Sequence, residues 1–197
     1  MPPTSPNKSF RGRHIAAADF SSEQLTSMHI AEATLQDLPA VMNLIRACIQ
    51  HMESQGIFQW DEIYPDSGSL EKDIGSHSLY AARGAGRTCG IIVLNEYQDP
   101  EYAVIRWAYQ GDKILVVHRL SVDPVRQGQG IAALLMDFAE EHAKSHGYLA
   151  IRLDAFTHNP RSVALYERRG YRKAGVVNFR KGPFYCFEKE VHRFEKG

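Results

Sequence analysis

This chain of 197 residues has no charge excess, no cysteine framework and no long apolar run. Its 23 lysines and arginines cancel 23 aspartates and glutamates, so net charge points neither to nucleic acid nor to an anionic lipid surface. The basic pair Arg11 and Arg13 is too short to make a phosphate-binding stripe. Cys48, Cys89 and Cys186 are too few and too scattered for a disulfide framework or a zinc knuckle, and read as buried thiols. No apolar stretch approaches the ~20 residues that a membrane helix needs. The N-terminus lacks the apolar core of a signal peptide, so the expected address is the cytoplasm, with no membrane partner. What is present is 44% hydrophobic residues over a length that suits one domain with a sizeable core.

Residues 1–27 are rich in Pro, Ser and basic side chains, without an apolar period, and are expected to be a disordered extension. The domain is expected over 28–197, with no internal repeat. A strand candidate, His29 to Ala33, precedes Asp37, an expected helix N-cap with Pro39 in the first turn. Leu38, Val41, Ile45, Ile49 and Met52 then recur at helical spacing. An irregular aromatic stretch, Gly56 to Pro65, leads to a short helix around Ser69 to Ile74. Leu79 to Arg83 and Thr88 to Glu96 read as strands, followed by a polar, aromatic insertion from Gln98 to Asp112. Ile114 to Val122 is apolar enough to be a central strand. Ile131, Leu134, Leu135 and Phe138 mark an amphipathic helix ending near Gly147. Leu149 to Phe156 alternates, Asn159 and Pro160 open a short helix, and Tyr171 to Val177 and Phe184 to Val191 form a closing hairpin. The pattern predicts a mixed sheet with helices on both faces, an α/β or α+β sandwich.

Two motifs carry chemistry. In Leu120-Ser-Val-Asp-Pro-Val-Arg-Gln-Gly-Gln-Gly130 a strand stops at Pro124, and two glycines lead into a helix N-terminus. Unpaired N–H groups from about Gln127 to Ala132, together with the helix dipole, favour an anion, most naturally a phosphate. The third glycine of a dinucleotide fingerprint and the Gly-Lys-Ser/Thr of a P-loop are absent. Downstream, Asn159 and Tyr166 lie seven residues apart, two helical turns, so an amide and a phenol project to nearly the same side.

With a strand between them, these motifs make the region from about Val117 to Tyr171 resemble the GNAT superfamily of acyl-CoA-dependent N-acetyltransferases. Weaker similarity to small bacterial-type, single-domain members extends over Gly56 to Pro65 and the terminal Phe187-Glu-Lys. One departure is Val125, where the family pattern places Gln or Arg. The resemblance implies a GNAT fold, with a central mixed twisted sheet of about six to seven strands. It further implies acetyl-CoA as co-substrate, no metal, and a primary amine of a small molecule or peptide as acceptor. Acetyl transfer would proceed by direct attack in a ternary complex, in a monomer or a homodimer. A rival class is an acyl-CoA-binding sensor that keeps the fold without turnover.

Main-chain groups around Leu120, Ser121 and Val122 are implied to hold the pantetheine arm. Arg126, Gln127, Gly128, Gln129, Gly130, Ile131 and Ala132 are implied to hold the pyrophosphate, with Asn159, Ser162 and Tyr166 beside the arm. Tyr166 aligns with the tyrosine that many members use as general acid toward the thiolate. For the base, His118 is the first candidate, two residues before Leu120 and expected on the same strand face, with a suitable intrinsic pKa. Glu96 and Asp154 are rivals, and Asp154 has the plainer alternative of a salt bridge to Arg152. Trp60, Tyr64 and Trp107 either line an acceptor pocket or anchor long loops. Arg161 and Arg168 either meet coenzyme phosphates or form a solvated helix face.

Overall fold

The computed structural model describes residues 28–111 and 113–191. The expected disordered extension over 1–27, Asp112 at the end of the expected insertion, and the domain's last residues, 192–197, lie outside the described residues. In chain order the elements are β1 His29–Glu32, α1 Leu38–Ser54, α2 Ser67–Gly75, β2 Leu79–Gly84, β3 Arg87–Asn95, β4 Ile114–Val122, α3 Ile131–Ser145, β5 Ala150–Phe156, α4 Pro160–Arg168, β6 Arg172–Phe179 and β7 Gly182–Glu190. Short 3-10 turns cover Leu35–Asp37, Pro100–Val104 and Pro124–Arg126.

Local sequence explains most of these boundaries. The Asp66 carboxylate accepts the Ser69 N–H at 2.9 Å, which starts α2 two residues earlier than its apolar pattern suggests. Asn159 Oδ1 accepts the Ser162 N–H at 3.2 Å with Pro160 at the first helical position, the expected cap of α4. Asp37 does occupy the position before α1, but its side chain does not cap that helix. Its carboxylate turns back to the Thr34 N–H at 2.7 Å and pairs with Arg83 at 2.8 Å.

The strands form one seven-stranded sheet in the order β1-β2-β3-β4-β5-β7-β6. Every neighbour is antiparallel except β4 and β5, which run parallel. Val41, Leu44, Ile45 and Cys48 of α1 and Leu70 and Ile74 of α2 bury one face with Ile91 and Val93. The opposite face packs Ile131, Leu135 and Met136 of α3 and Tyr166 of α4 on Leu115, Val117, Leu153 and Phe187. Each large apolar side chain so buried contributes about 1.5–3 kcal/mol against chain entropy.

Two irregularities on β4 govern what this frame can do. Its pairing with β5 covers only Ile114↔Ala150 through Val117↔Leu153, and beyond that the two strands part. On the β3 side, Ile91 faces Ser121 and Val93 faces His118, so Arg119 and Leu120 together face Ile92. This is a β-bulge, and Arg119 sits in it at φ +52°. The bulge reverses side-chain parity. Leu115 and Val117 point toward α3 and α4, and after the bulge Leu120 and Val122 do so too. His118, opposite Val93, faces the other way, so the expected common face for His118 and Leu120 is corrected.

The start of α3 lies close against the sheet because residue 90 has no side chain. A Cβ built on Gly90 would stand 2.9 Å from the Ser121 carbonyl oxygen, 3.0 Å from Leu135 Cδ1 and 3.2 Å from Ile131 Cγ2. Gly90→Ala should therefore cost about 1–3 kcal/mol of stability by overpacking against backbone. It should also push the first turn of α3 outward and weaken whatever binds there. Urea denaturation checks this, and an unchanged midpoint would contradict it.

Candidate active site

After β4, Pro124 opens a 3-10 turn that returns the Arg126 N–H to the Asp123 carbonyl at 2.8 Å and the Gln127 N–H to Pro124 at 3.4 Å. Gly128 at φ +84° and Gly130 at φ +85° then turn the chain into α3, a conformation that costs a Cβ-bearing residue dearly. Among the described residues, no backbone carbonyl accepts the N–H groups of Gly128 to Ala133. The open donors thus begin one residue later than the sequence pattern suggests, with Gln127 turned inward. Val125 is 80% exposed and its N–H goes to Asp123 Oδ1 at 3.2 Å, so the departure from the family pattern falls on the solvent side. The Gln127 side chain spans the loop, donating to the Val122 carbonyl at 3.2 Å and accepting from Arg161.

From this loop a cleft runs along Leu120, Ser121 and Val122 to Tyr166, roofed by Asn159, Ser162 and Trp60. Arg126, Arg161 and Arg168 stand on its walls, which with the open N–H groups makes the loop end electropositive. Tyr166 is 6% exposed and packs between Tyr171 and Phe187. Its hydroxyl has no hydrogen-bond partner among the described residues. Burial, and then the charge of Asp154, push its pKa above the usual phenol value, so it is a proton donor at neutral pH.

Asp154 stands on β5 just past the point where the strands part. The Tyr102 hydroxyl donates to its Oδ2 at 2.8 Å. Burial raises its pKa to about 6, with the neighbouring Asp99 adding to the rise. The expected pair with Arg152 is not formed. Arg152 instead bonds Glu188 at 3.2 Å and stacks 4.2 Å from the centroid of Trp107. Trp107 is accordingly core, 9% exposed and packed with Tyr102, as the loop-anchoring alternative expects. Glu96 is exposed and engages the Tyr148 hydroxyl, away from the cleft. His118 Nε2 lies 3.1 Å from both Asn95 Oδ1 and the Tyr97 carbonyl, two acceptors, so that nitrogen carries the proton. Burial, with the adjacent Arg119 charge, lowers its pKa to about 4.

Comparison with known proteins now bears on this geometry. The profile described as "Acetyltransferase (GNAT) family" matches residues 45–171, more than half of the chain. The chain belongs to the GNAT family. It is 29% identical over 98 residues to rat N-acetyltransferase family 8 member 2, covering 50% of this chain and 40% of that protein. The chain thus spans about two fifths of that relative's length. An uncharacterized N-acetyltransferase YesJ of Bacillus subtilis is 23% identical over 166 residues, 81% of this chain and 88% of that one. A GNAT-family acetyltransferase structure from Streptococcus agalactiae superposes with a TM-score of 0.75 at 19% identity, covering 84% of this chain and 96% of that one. The PaiA N-acetyltransferase of Thermoplasma acidophilum, solved in complex with coenzyme A, gives 0.64 at 17%, covering 83% and 99%.

In this GNAT domain several site residues carried no sequence signal. Gln59 Oε1 accepts from Asn159 Nδ2 at 2.8 Å across 100 residues of chain. Asp61 takes both Arg180 nitrogens at 2.9 and 2.7 Å and Lys181 at 3.0 Å, tying the aromatic stretch to the β6–β7 turn. Tyr102 and Asp99 come from the polar insertion. Only the adjacent polar pair His118-Arg119 within an apolar strand could have signalled the bulge.

Two outcomes follow. Gly130→Val would strain the loop at φ +85° and crowd the open N–H groups. Coenzyme A affinity should fall at least tenfold by calorimetry while the circular dichroism of the fold persists. His118 titrates near 6.5 when unfolded and about 4 when folded, so between those values the unfolded chain binds more protons and stability falls with pH. Between pH 7 and 5 the wild type should lose about 2 kcal/mol more than His118→Asn. Asp154, shifted the opposite way, acts equally in both proteins and cancels in that difference. Parallel denaturation curves at the two pH values would contradict it.

Proposed function

We propose that this GNAT domain transfers an acetyl group from acetyl-CoA to a primary amine, by direct attack with both substrates bound. One observation carries the reading. A loop of open N–H groups leads along β4 to a buried, partnerless phenol at the point where the sheet parts. The residues fit coenzyme A chemically, because the electropositive end suits a diphosphate and the strand edge freed by the parting offers main-chain groups to an amide-containing arm. Gly128 to Ala133 would hold the diphosphate, and Leu120 to Val122 the arm. When bound, acetyl-CoA supplies an acyl carbon activated as a thioester.

Tyr166 would give its proton to the departing sulfur, a role its raised pKa suits, since it remains protonated until the thiolate appears. Asn159 fixes the start of α4 and, through Gln59, the wall of the cleft. Trp60 lines the same wall. The acceptor is a small-molecule or peptide amine, approaching from the face of the sheet that carries His118 and Asp154.

Tyr166→Phe keeps the ring packing and removes only the hydroxyl. Turnover with a genuine acceptor should fall by about 10²–10⁴-fold, the range for general acid catalysis, while coenzyme A affinity and melting temperature stay near wild type. The deficit should shrink with an acyl donor whose thiol is more acidic. Thiol release equal to wild type at saturating amine would remove Tyr166 from proton transfer.

A further inference from the structure

Arg119 stands where its residue type is disfavoured. It is the first of the two β4 residues that face Ile92, and its φ of +52° is left-handed, a conformation that glycine usually supplies in such a bulge. The Ser121 hydroxyl donates to the Arg119 carbonyl at 3.1 Å, which is local support. A side chain at this φ still has to be held from elsewhere in the chain.

Asp73 is disfavoured in its own element too. It is buried in the last turn of α2, where the helix dipole opposes an acid and desolvation opposes a charge. Its Oδ2 lies 2.8 Å from the Arg119 guanidinium, with the two side chains 10% and 12% exposed. The Tyr64 ring covers the same guanidinium, 5.1 Å from ring centroid to its carbon. Among the described residues, Asp73 pairs with no other cation. A buried ion pair adds little net stability over an apolar pair, because desolvation offsets the attraction; its best-attested use is to select one arrangement of the chain.

Here the arrangement selected is the bulge. With it, Leu120 and Val122 turn to the side of α3 and line the cleft. Without it, β4 would keep a strict alternation and those two residues would turn to the side of α1 and α2. We infer that Asp73 and Arg119 are positioning residues for the coenzyme, whose ion pair holds β4 in the form that presents residues 120–122 to the pantetheine arm. This rests on the acetyl-CoA reading above and extends it to two residues that do not line the cleft. If only the bulged form binds, apparent affinity falls in proportion to the fraction of protein that is bulged.

Glycine at 119 separates this role from a merely structural one. Glycine takes a positive φ unaided, whereas alanine has to be held there. In a strand glycine is the weaker residue, so loss of stability alone would rank the two the other way. Coenzyme A affinity is read by calorimetry and stability by the urea midpoint. Asp73→Leu, which removes the acceptor, should weaken coenzyme A binding at least about fivefold. Adding Arg119→Gly to Asp73→Leu should restore affinity to within about twofold of wild type, a rescue that two independent structural losses would not give. Adding Arg119→Ala instead should leave binding at least about fivefold weak, with a urea midpoint no lower than that of the glycine version. Both double variants lack the buried charges, so their comparison stands even where Asp73→Leu alone folds poorly. Equal affinity in the two double variants, or tighter binding by the alanine version, would overturn the inference. A folded Asp73→Leu that binds coenzyme A as wild type does would overturn it as well. Wild-type protein that binds no coenzyme A would instead sink the reading on which it rests.

Discussion

The bulge at Arg119 is the constraint on which the rest of the molecule turns. A non-glycine residue at φ +52° is unfavourable by itself, of the order of 1 kcal/mol or more, and persists only where its surroundings hold it. Here the surroundings are an ion pair to Asp73 of α2, both side chains close to 90% buried, and the Tyr64 ring lying against the guanidinium. The backbone distortion that turns β4 is therefore fastened by a helix and a loop on the opposite side of the sheet from α3 and α4. Because the bulge lies just after the last β4–β5 pair, one distortion both redirects Leu120 and Val122 into the cleft and accompanies the loss of pairing.

The parting of β4 from β5 also separates two electrostatic environments that a continuous sheet would keep apart entirely. On the side of α3 and α4 stand open N–H groups and the arginines 126, 161 and 168, suited to a polyanion. On the side of α1 and α2 stand Asp99 and Asp154, whose carboxyls burial shifts toward the protonated form. At the gap the phenol of Tyr166, from the first side, lies in the field of the Asp154 carboxylate, from the second. Burial, and then the charge of Asp154, keep the Tyr166 phenol protonated, and burial raises the pKa of the Asp154 carboxyl to about 6. The two groups reach the gap from opposite faces, since Leu153 of β5 packs with α4 and the next residue along the strand, Asp154, points the other way.

Local signals were legible in the amino-acid sequence and long-range ones were not. The cap of α4, the bounds of β4 and the glycine loop are set by residues within a few positions of one another, so spacing reveals them. The family resemblance rests on the same short-range pattern and is borne out by the GNAT profile match. Parity arguments failed at His118 because they assume an unbroken strand, and the adjacent polar residues at 118 and 119 were the sole mark of the break. Trp107 stayed open between a pocket and a loop-anchoring role because the burial of the polar insertion depends on Arg152 and Glu188, 45 and more residues downstream. Asp99, Tyr102, Gln59 and Asp61 gain meaning only from partners that chain distance hides.

The aromatic stretch from Gly56 to Pro65 shows how such partners couple the two sides. Gln59 is bound to the amide of Asn159, whose carbonyl caps α4 and so helps to set where Tyr166 stands. Asp61, two residues on, is held by Arg180 and Lys181 of the closing hairpin, and Tyr64 lies on Arg119 in the bulge. One short segment is thus tied to the cleft through residue 59 and to the bulge through residue 64. A shift of this segment would move the α4 cap and the packing over the bulge together, so α4 and the bulge do not drift independently. Such coupling would serve the proposed transfer, because a misplacement of about 1 Å in reacting groups can cost on the order of 10²-fold in rate. The exposed ion pairs of Asp61, individually weak in water, act here by restricting a loop and not by stabilising the fold.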